Sequence, residues 1–182
     1  TYIQGNNMKL YIMRHGTTVW NEKNIIQGRS NNRLSRNGIS ALQEVAKQYK
    51  DTHFDTIYAS PLPRTMQSAN IINQYHNLPI QKDDRLLEIN QGIFTGRKKK
   101  SLTPEEAQIK ALRLHSNGME TYAEVYSRMQ NFFDYLKQTY CKDSILVVTH
   151  NACATMLYSI ATSTPPPGVG QFNNGEIRLV EI

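Results

Sequence analysis

Cysteine is scarce in this chain: Cys141 and Cys153 are the only two in 182 residues. Two thiols are too few to staple a secreted scaffold, and they flank an apolar strand pattern without metal-ligand spacing, so both read as reduced. No stretch approaches the ~18 consecutive apolar residues of a membrane span. The N-terminal TYIQGNNMKL lacks the basic-then-apolar order of a secretion signal. Internal repeats are missing too. These absences argue against secreted disulfide frameworks, membrane spans and repeat arrays, and lead to the expectation of a cytoplasmic protein with no membrane partner. Met8 opens MKLYIM like a natural start, so residues 1–7 read as an expression remnant. Residues 8–182 read as one domain, since 39% apolar residues suffice for one sizeable core.

What the chain does have is positive charge. Twenty-one Lys and Arg against fifteen Asp and Glu leave +6 at neutral pH, which points to an anionic partner. Nucleic acid is not expected. The basic residues are scattered apart from Arg97-Lys98-Lys99-Lys100, which reads as a solvated loop, and no zinc-finger, helix-turn-helix or RNA-binding aromatic signature accompanies them.

Three short apolar runs rich in β-branched or aromatic residues read as strands: LYIM at 10–13, DTIYAS at 55–60 and SILVVT at 144–149. Helical patterns lie near each of them. After Ser35, a plausible N-cap, Ile39, Leu42, Val45, Ala46 and Tyr49 recur at helical spacing. After Ser60 a helix is expected with Pro61 in its first turn. Tyr122, Val125, Tyr126, Met129, Phe132, Phe133, Leu136 and Tyr140 form one apolar stripe read as core. Pro165-Pro166-Pro167 reads as a stiff loop before a last strand, EIRLVEI. Strands alternating with helices predict an α/β layer sandwich around a largely parallel sheet.

In such sheets ligands sit beyond the carboxyl ends of the strands. There the sequence is basic: LYIM runs into Arg14-His15-Gly16, DTIYAS into PLPRT with Arg64, and SILVVT into His150. Arg14, His15, Arg64 and His150 therefore converge on one rim, where mutual repulsion calls for an anion. A phosphoryl group suits two arginine forks. Gly16 is expected to let the backbone turn sharply and approach the ligand. Neutral imidazole is a competent nucleophile, so His15 is the candidate for attack on phosphorus, with charge spread over Arg14, Arg64 and a protonated His150. Glu88, in DDRLLEINQGIFTG after an expected strand end and before Gly92 and Gly96, is the candidate proton donor, with Glu120 next in line. His53, His76 and His115 follow no strand and default to the surface.

RHGTTVWN, Gln27-Gly28, LSRNG, YASPLPRTMQSA, LLEINQGIFTG, GMETYAEVYSRM and VVTH together resemble the histidine phosphatase superfamily, the phosphoglycerate-mutase-like group. They run in the family's order from Met8 to about Asn151. The resemblance implies a three-layer α/β/α sandwich with a mostly parallel central sheet, and His15 as phosphorylated nucleophile. It also implies a phosphate pocket of Arg14, Arg64 and His150, Glu88 as general acid and base, Asn21 as a further phosphate contact, Gln27 and Gly28 in a substrate-contacting loop, and no metal or organic cofactor. Thr17, Asn31 and Arg33 depart from the family's pattern. So does Asn151, which stands where relatives usually place a glycine close to phosphate; asparagine tolerates a left-handed backbone there. The stretch from Glu88 to His150 lacks the longer insertion of mutases. Hydrolysis of a small phosphorylated metabolite is therefore expected, by a monomer or homodimer; a cofactor-dependent phosphoglycerate mutase and a noncatalytic phosphate-binding module are the alternatives.

Overall fold

The computed structural model describes residues 7–113 and 116–182; His115 lies outside them. Five strands form one sheet: β1 (Lys9–Arg14), β2 (Thr56–Ala59), β3 (Ile80–Lys82), β4 (Ser144–Thr149) and β5 (Ile177–Glu181). Their order is β3-β2-β4-β1-β5, with β1 to β4 parallel and β5 antiparallel to β1. The mixed α/β architecture with a mostly parallel sheet agrees with the sequence expectation. The short strand β3, IQK, gave no apolar signal because its residues are half-buried or exposed at the sheet edge.

Strand periodicity divides the core in two. Leu10, Ile12, Ile145 and Val147 face one side, packed with residues of α5 (Tyr122–Thr139) and α6 (Asn151–Thr162). Met13, Leu146 and Val148 face the other, packed with α2 (Arg36–Gln48) and α3 (Pro63–Asn73). Burial on both faces explains why the central strands are continuous hydrophobic runs. The remaining helices are short: α1 (Val19–Glu22), α4 (Pro104–Leu112) and α7 (Pro166–Val169).

Ser35 caps α2 as expected, its Oγ accepting the Gly38 N–H at 3.0 Å. The helix after Ser60 starts later than expected, with Pro63 rather than Pro61 in its first turn. The Pro165–Pro167 segment is not a plain loop: Pro166 and Pro167 open α7, where missing N–H groups cost nothing. On α5 the expected stripe is core at Val125, Met129, Phe132, Phe133 and Leu136, but Tyr122 and Tyr126 are 49% and 42% exposed. Tyr140 ends the helix and reaches back to the Tyr58 hydroxyl at 2.9 Å.

Between β3 and α5 the described residues build no strand. The chain folds through single-turn 3-10 segments at Asp84–Leu86, Gly92–Phe94, Lys99–Ser101 and Ser116–Gly118, together with α4, around the small cluster Ile26, Phe94 and Met119. Glu88 therefore does not follow a strand end directly; a 3-10 turn intervenes. Helix α4 starts at a Thr103–Glu106 capping box but exposes Leu112 by 60%, which hid it from periodicity. Both cysteines are unpaired, Cys141 exposed and Cys153 buried.

Candidate active site

The parallel register assembles the site. Arg14 pairs with Thr149, and Val148 with Ala59, so the residues that follow emerge side by side at the carboxyl edge. The His15 N–H donates to the Thr149 carbonyl (2.9 Å) and the Ser60 N–H to the Val148 carbonyl (3.0 Å), extending the ladder by one residue. His15 and His150 are buried with ring centroids 5.2 Å apart. Arg64, in the first turn of α3, reaches them fully buried.

His15 has a defined tautomer. Its Nδ1 lies 2.7 Å from the Gly16 carbonyl, which can only accept, so Nδ1 carries a proton. Burial, then Arg64, then Arg14 hold the ring's pKa well below 6.5, against the Gly16 bond. The ring is therefore neutral and Nε2 keeps its lone pair, toward which the Arg64 Nε–H donates at 3.3 Å. Arg64 is itself fixed: Nη1 donates to the Ser30 carbonyl (2.8 Å) and Nη2 to the Gly28 carbonyl (2.7 Å). Burial, opposed by Glu88 and aided by Arg14, pushes its pKa down to about 10, which leaves it charged at neutral pH.

Arg14 donates from Nη1 to the Phe172 carbonyl at 2.6 Å, while its buried Nε has no partner. His150 sits with Nε2 2.8 Å from the Ser60 hydroxyl, and its buried Nδ1 also lacks a partner. Buried polar groups left unpaired cost about 1–3 kcal/mol each, so two at one rim signal a ligand position. Burial first, then Arg64, His15, Arg128 and Arg14, keep the His150 pKa well below 6.5, so the ring is neutral in the free protein.

Gly16 also has a packing role that the sequence did not show. It has no positive φ, and a Cβ there would lie 2.5 Å from Leu42 Cδ1. The missing side chain leaves room for the packing of α2 beneath the loop. Likewise Asn151 is not left-handed; it opens α6, and its Oδ1 accepts the Phe172 N–H at 3.0 Å. Asn151 thereby holds the peptide segment whose carbonyl receives Arg14.

Arg14, Asn21, Gln27, Gly28, Glu88 and Asn151 all line one cleft of about 260 Å³, with Trp20, Lys99, Lys110, Arg113 and Tyr122 farther along its wall. Asn21 also serves the fold, its Oδ1 closing a capping box on the Thr18 N–H at 3.1 Å. Gly28 adopts φ +50°, aiming its carbonyl at Arg64. Glu88 accepts the Ile89 N–H at 2.9 Å. Its pKa is raised, chiefly by burial, against the pull of Arg64, the Ile89 N–H, Arg14 and Arg128. A carboxyl that protonates readily beside two arginines is suited to give a proton away. Glu120 is not: burial disfavours its charge, but bonds from Arg128 at 2.7 and 3.0 Å, from the Asn90 N–H and from Arg29 win, and its pKa is lowered.

Of the three histidines expected at the surface, His53 is 79% exposed in its side chain. His76 is not: it packs edge-on against Phe54, centroids 4.7 Å apart, with Nε2 buried. Sequence reasoning missed Ser60, the Phe172 carbonyl and Asn174, whose Nδ2 donates to the His15 carbonyl at 3.1 Å. Ser60 ends an expected strand and was within reach; Phe172 and Asn174 carry no local signal. Among the described residues no three His, Cys, Asp or Glu side chains stand together as a metal site, and no helix is long and apolar enough to cross a membrane.

Known proteins resemble this chain in sequence and in fold. In sequence, the chain is 29% identical over 157 residues to phosphoserine phosphatase 1 of Hydrogenobacter thermophilus, covering 83% of this chain and 74% of that protein. It is 32% identical over 167 residues to the probable phosphoglycerate mutase GpmB of Yersinia enterocolitica, covering 87% and 77%. In fold, it matches the α-ribazole phosphatase of Shigella flexneri with a TM-score of 0.85 at 24% identity, over 96% of this chain and 91% of the other. A mycobacterial glucosyl-3-phosphoglycerate phosphatase matches with a TM-score of 0.82 at 20% identity, over 94% and 91%. The profile of the histidine phosphatase superfamily (branch 1) spans residues 10–182, from the strand that delivers His15 to the last strand of the sheet. With its basic rim at the carboxyl edge of a mostly parallel sheet, the chain belongs to the histidine phosphatase superfamily.

Proposed function

We propose that this protein hydrolyses phosphomonoesters through a phosphohistidine on His15. The observation that carries this reading is the neutral His15 ring, its Nδ1–H tied to Gly16 and its Nε2 lone pair turned toward the buried Arg64 guanidinium. Nε2 attacks phosphorus, the ester P–O bond breaks, and the leaving oxygen takes the proton of Glu88. Water then attacks the phosphohistidine, giving its proton to the Glu88 carboxylate, and phosphate departs with His15 neutral again. Arg14, Arg64 and His150 bear the charge on the transferring group; the bound dianion draws a proton onto His150.

Lys99, Lys110 and Arg113 line the cleft beyond the rim. They favour a leaving group with a further acidic group, such as a phosphorylated hydroxy acid, over a neutral one. The same chemistry would serve phosphoglycerate mutation, which the GpmB-named relative keeps as the second reading. Water is favoured as acceptor because the cleft is open and the chain between Glu88 and His150 is short.

The test is incubation of purified protein with p-nitrophenyl phosphate and with 3-phosphoglycerate, in EDTA. Release of p-nitrophenol and inorganic phosphate is expected, with an acid-labile, base-stable phosphoryl group trapped on wild type and missing from His15→Ala. Isomerisation of phosphoglycerate without phosphate release would favour the mutase. Binding of phosphate without turnover would favour a noncatalytic module.

A further inference from the structure

The segment that carries Glu88 is held in an unusual way. Strand ladders and helices satisfy most backbone carbonyls, but here four consecutive carbonyls are each met by a side chain from elsewhere in the fold. Arg128 donates to the Arg85 carbonyl, Thr149 Oγ1 to Leu86 (2.8 Å), Cys153 Sγ to Leu87 (3.0 Å) and Arg29 Nε to Glu88 itself (2.9 Å). Thr149 and Cys153 are fully buried. Thr149 is the last residue of β4, directly before His150, and Cys153 lies in the first turn of α6. The elements that place the phosphate-facing histidine thus also grip the peptide units leading to the acid.

We infer that Thr149 and Cys153 are positioning residues for Glu88, setting the distance between its carboxyl and the ester oxygen by tying its backbone to the β4–α6 corner. The inference rests on the phosphatase reading and goes beyond it. General-acid transfer requires the donor within hydrogen-bond reach of the departing oxygen, and displacement by about 1 Å can cost ~10²-fold. A side-chain tether achieves that placement where no ladder is present.

The test uses the isosteric Thr149→Val, which removes the donor and keeps the volume, beside Thr149→Ser, which keeps the hydroxyl. Turnover is measured on p-nitrophenyl, phenyl and glycerol phosphate, whose leaving groups need a proton increasingly. Thr149→Val should lower kcat for glycerol phosphate by ~10–10²-fold, with a loss at least several-fold smaller for p-nitrophenyl phosphate and little change in KM. Thr149→Ser should restore the wild-type pattern. Should the valine variant not fold, Cys153→Ala against Cys153→Ser is expected to show the same split at the neighbouring carbonyl. Equal loss across the three esters, or none, would overturn the inference while leaving the phosphatase reading standing, provided Glu88→Gln shows the split. If Glu88→Gln itself damages all three esters equally, there is no positioned acid, and both the inference and the role of Glu88 fall.

Discussion

The two halves of the site are built by different means. The rim of Arg14, His15, Ser60 and His150 sits at the ends of hydrogen-bonded parallel strands, so its geometry is a consequence of sheet register. The Glu88 segment has no ladder and depends on side chains reaching its carbonyls from β4, α5, α6 and the Arg29 loop. Electrostatically the halves are also opposed. Burial lowers the pKa values of His15 and His150 and raises that of Glu88, shifts of opposite sign that each disfavour the charged form. A rim fixed by backbone can stand a charged ligand arriving; a segment fixed by side chains can be adjusted by single substitutions.

The sharpest way to break this comparison is at the nucleophile. His15→Ala should lower turnover by ~10⁴-fold or more on every ester, because in the proposed mechanism the residue forms the bond to phosphorus whatever the leaving group. Steady-state hydrolysis of p-nitrophenyl and glycerol phosphate checks it, and retained turnover would remove His15 from the reaction. Glu88→Gln should cost ~10²–10⁴-fold for alkyl phosphates and far less for p-nitrophenyl phosphate, with affinity similar or better. A leaving-group series reads the difference between the halves directly.

Gly16→Ala probes the rim through packing. The added Cβ, 2.5 Å from Leu42 Cδ1, should lower stability by about 1–3 kcal/mol, seen as a lower Tm and urea midpoint. Gly16→Ala combined with Leu42→Ala should cost less than the sum of the two single variants, because the methyl then has room.

The smallest effects are those of pH on stability, and they differ in sign. His15 and His150 have folded pKa values below their ordinary 6.5, so the unfolded chain binds protons first; stability should fall as pH drops below about 6.5. Urea midpoints between pH 7.5 and 5 should show this slope, and His150→Asn should flatten it. Glu88 has a folded pKa above its ordinary 4.5, so its contribution favours acid and is lost as pH rises through the raised value. Glu88→Gln should therefore raise the midpoint at pH 7 relative to wild type.

The sequence was most informative at the rim. Apolar runs that end on Arg14-His15, on Ser60 ahead of Arg64, and on His150 are local patterns, and parallel strands bring such ends together by a general rule. The Glu88 assignment rested on neighbouring motifs, and its supposed place after a strand was replaced by a 3-10 turn. The packing at Gly16 was hidden for a related reason: what crowds a side chain there is Leu42, twenty-six positions away in the chain.

By itself, then, the sequence determined most of the alternation of strands and helices, the Ser35 cap of α2, and which basic residues stand at strand ends. Each depends on residues within a turn or a pleat of one another. Only the tertiary structure decided the tautomer of His15, the neutral state of His150, the pairing of Glu120 with Arg128, and the tethers from Thr149 and Cys153 to the Glu88 segment. All of these depend on burial and on partners distant in the chain, and the free energy of a buried polar group is set by what surrounds it in space.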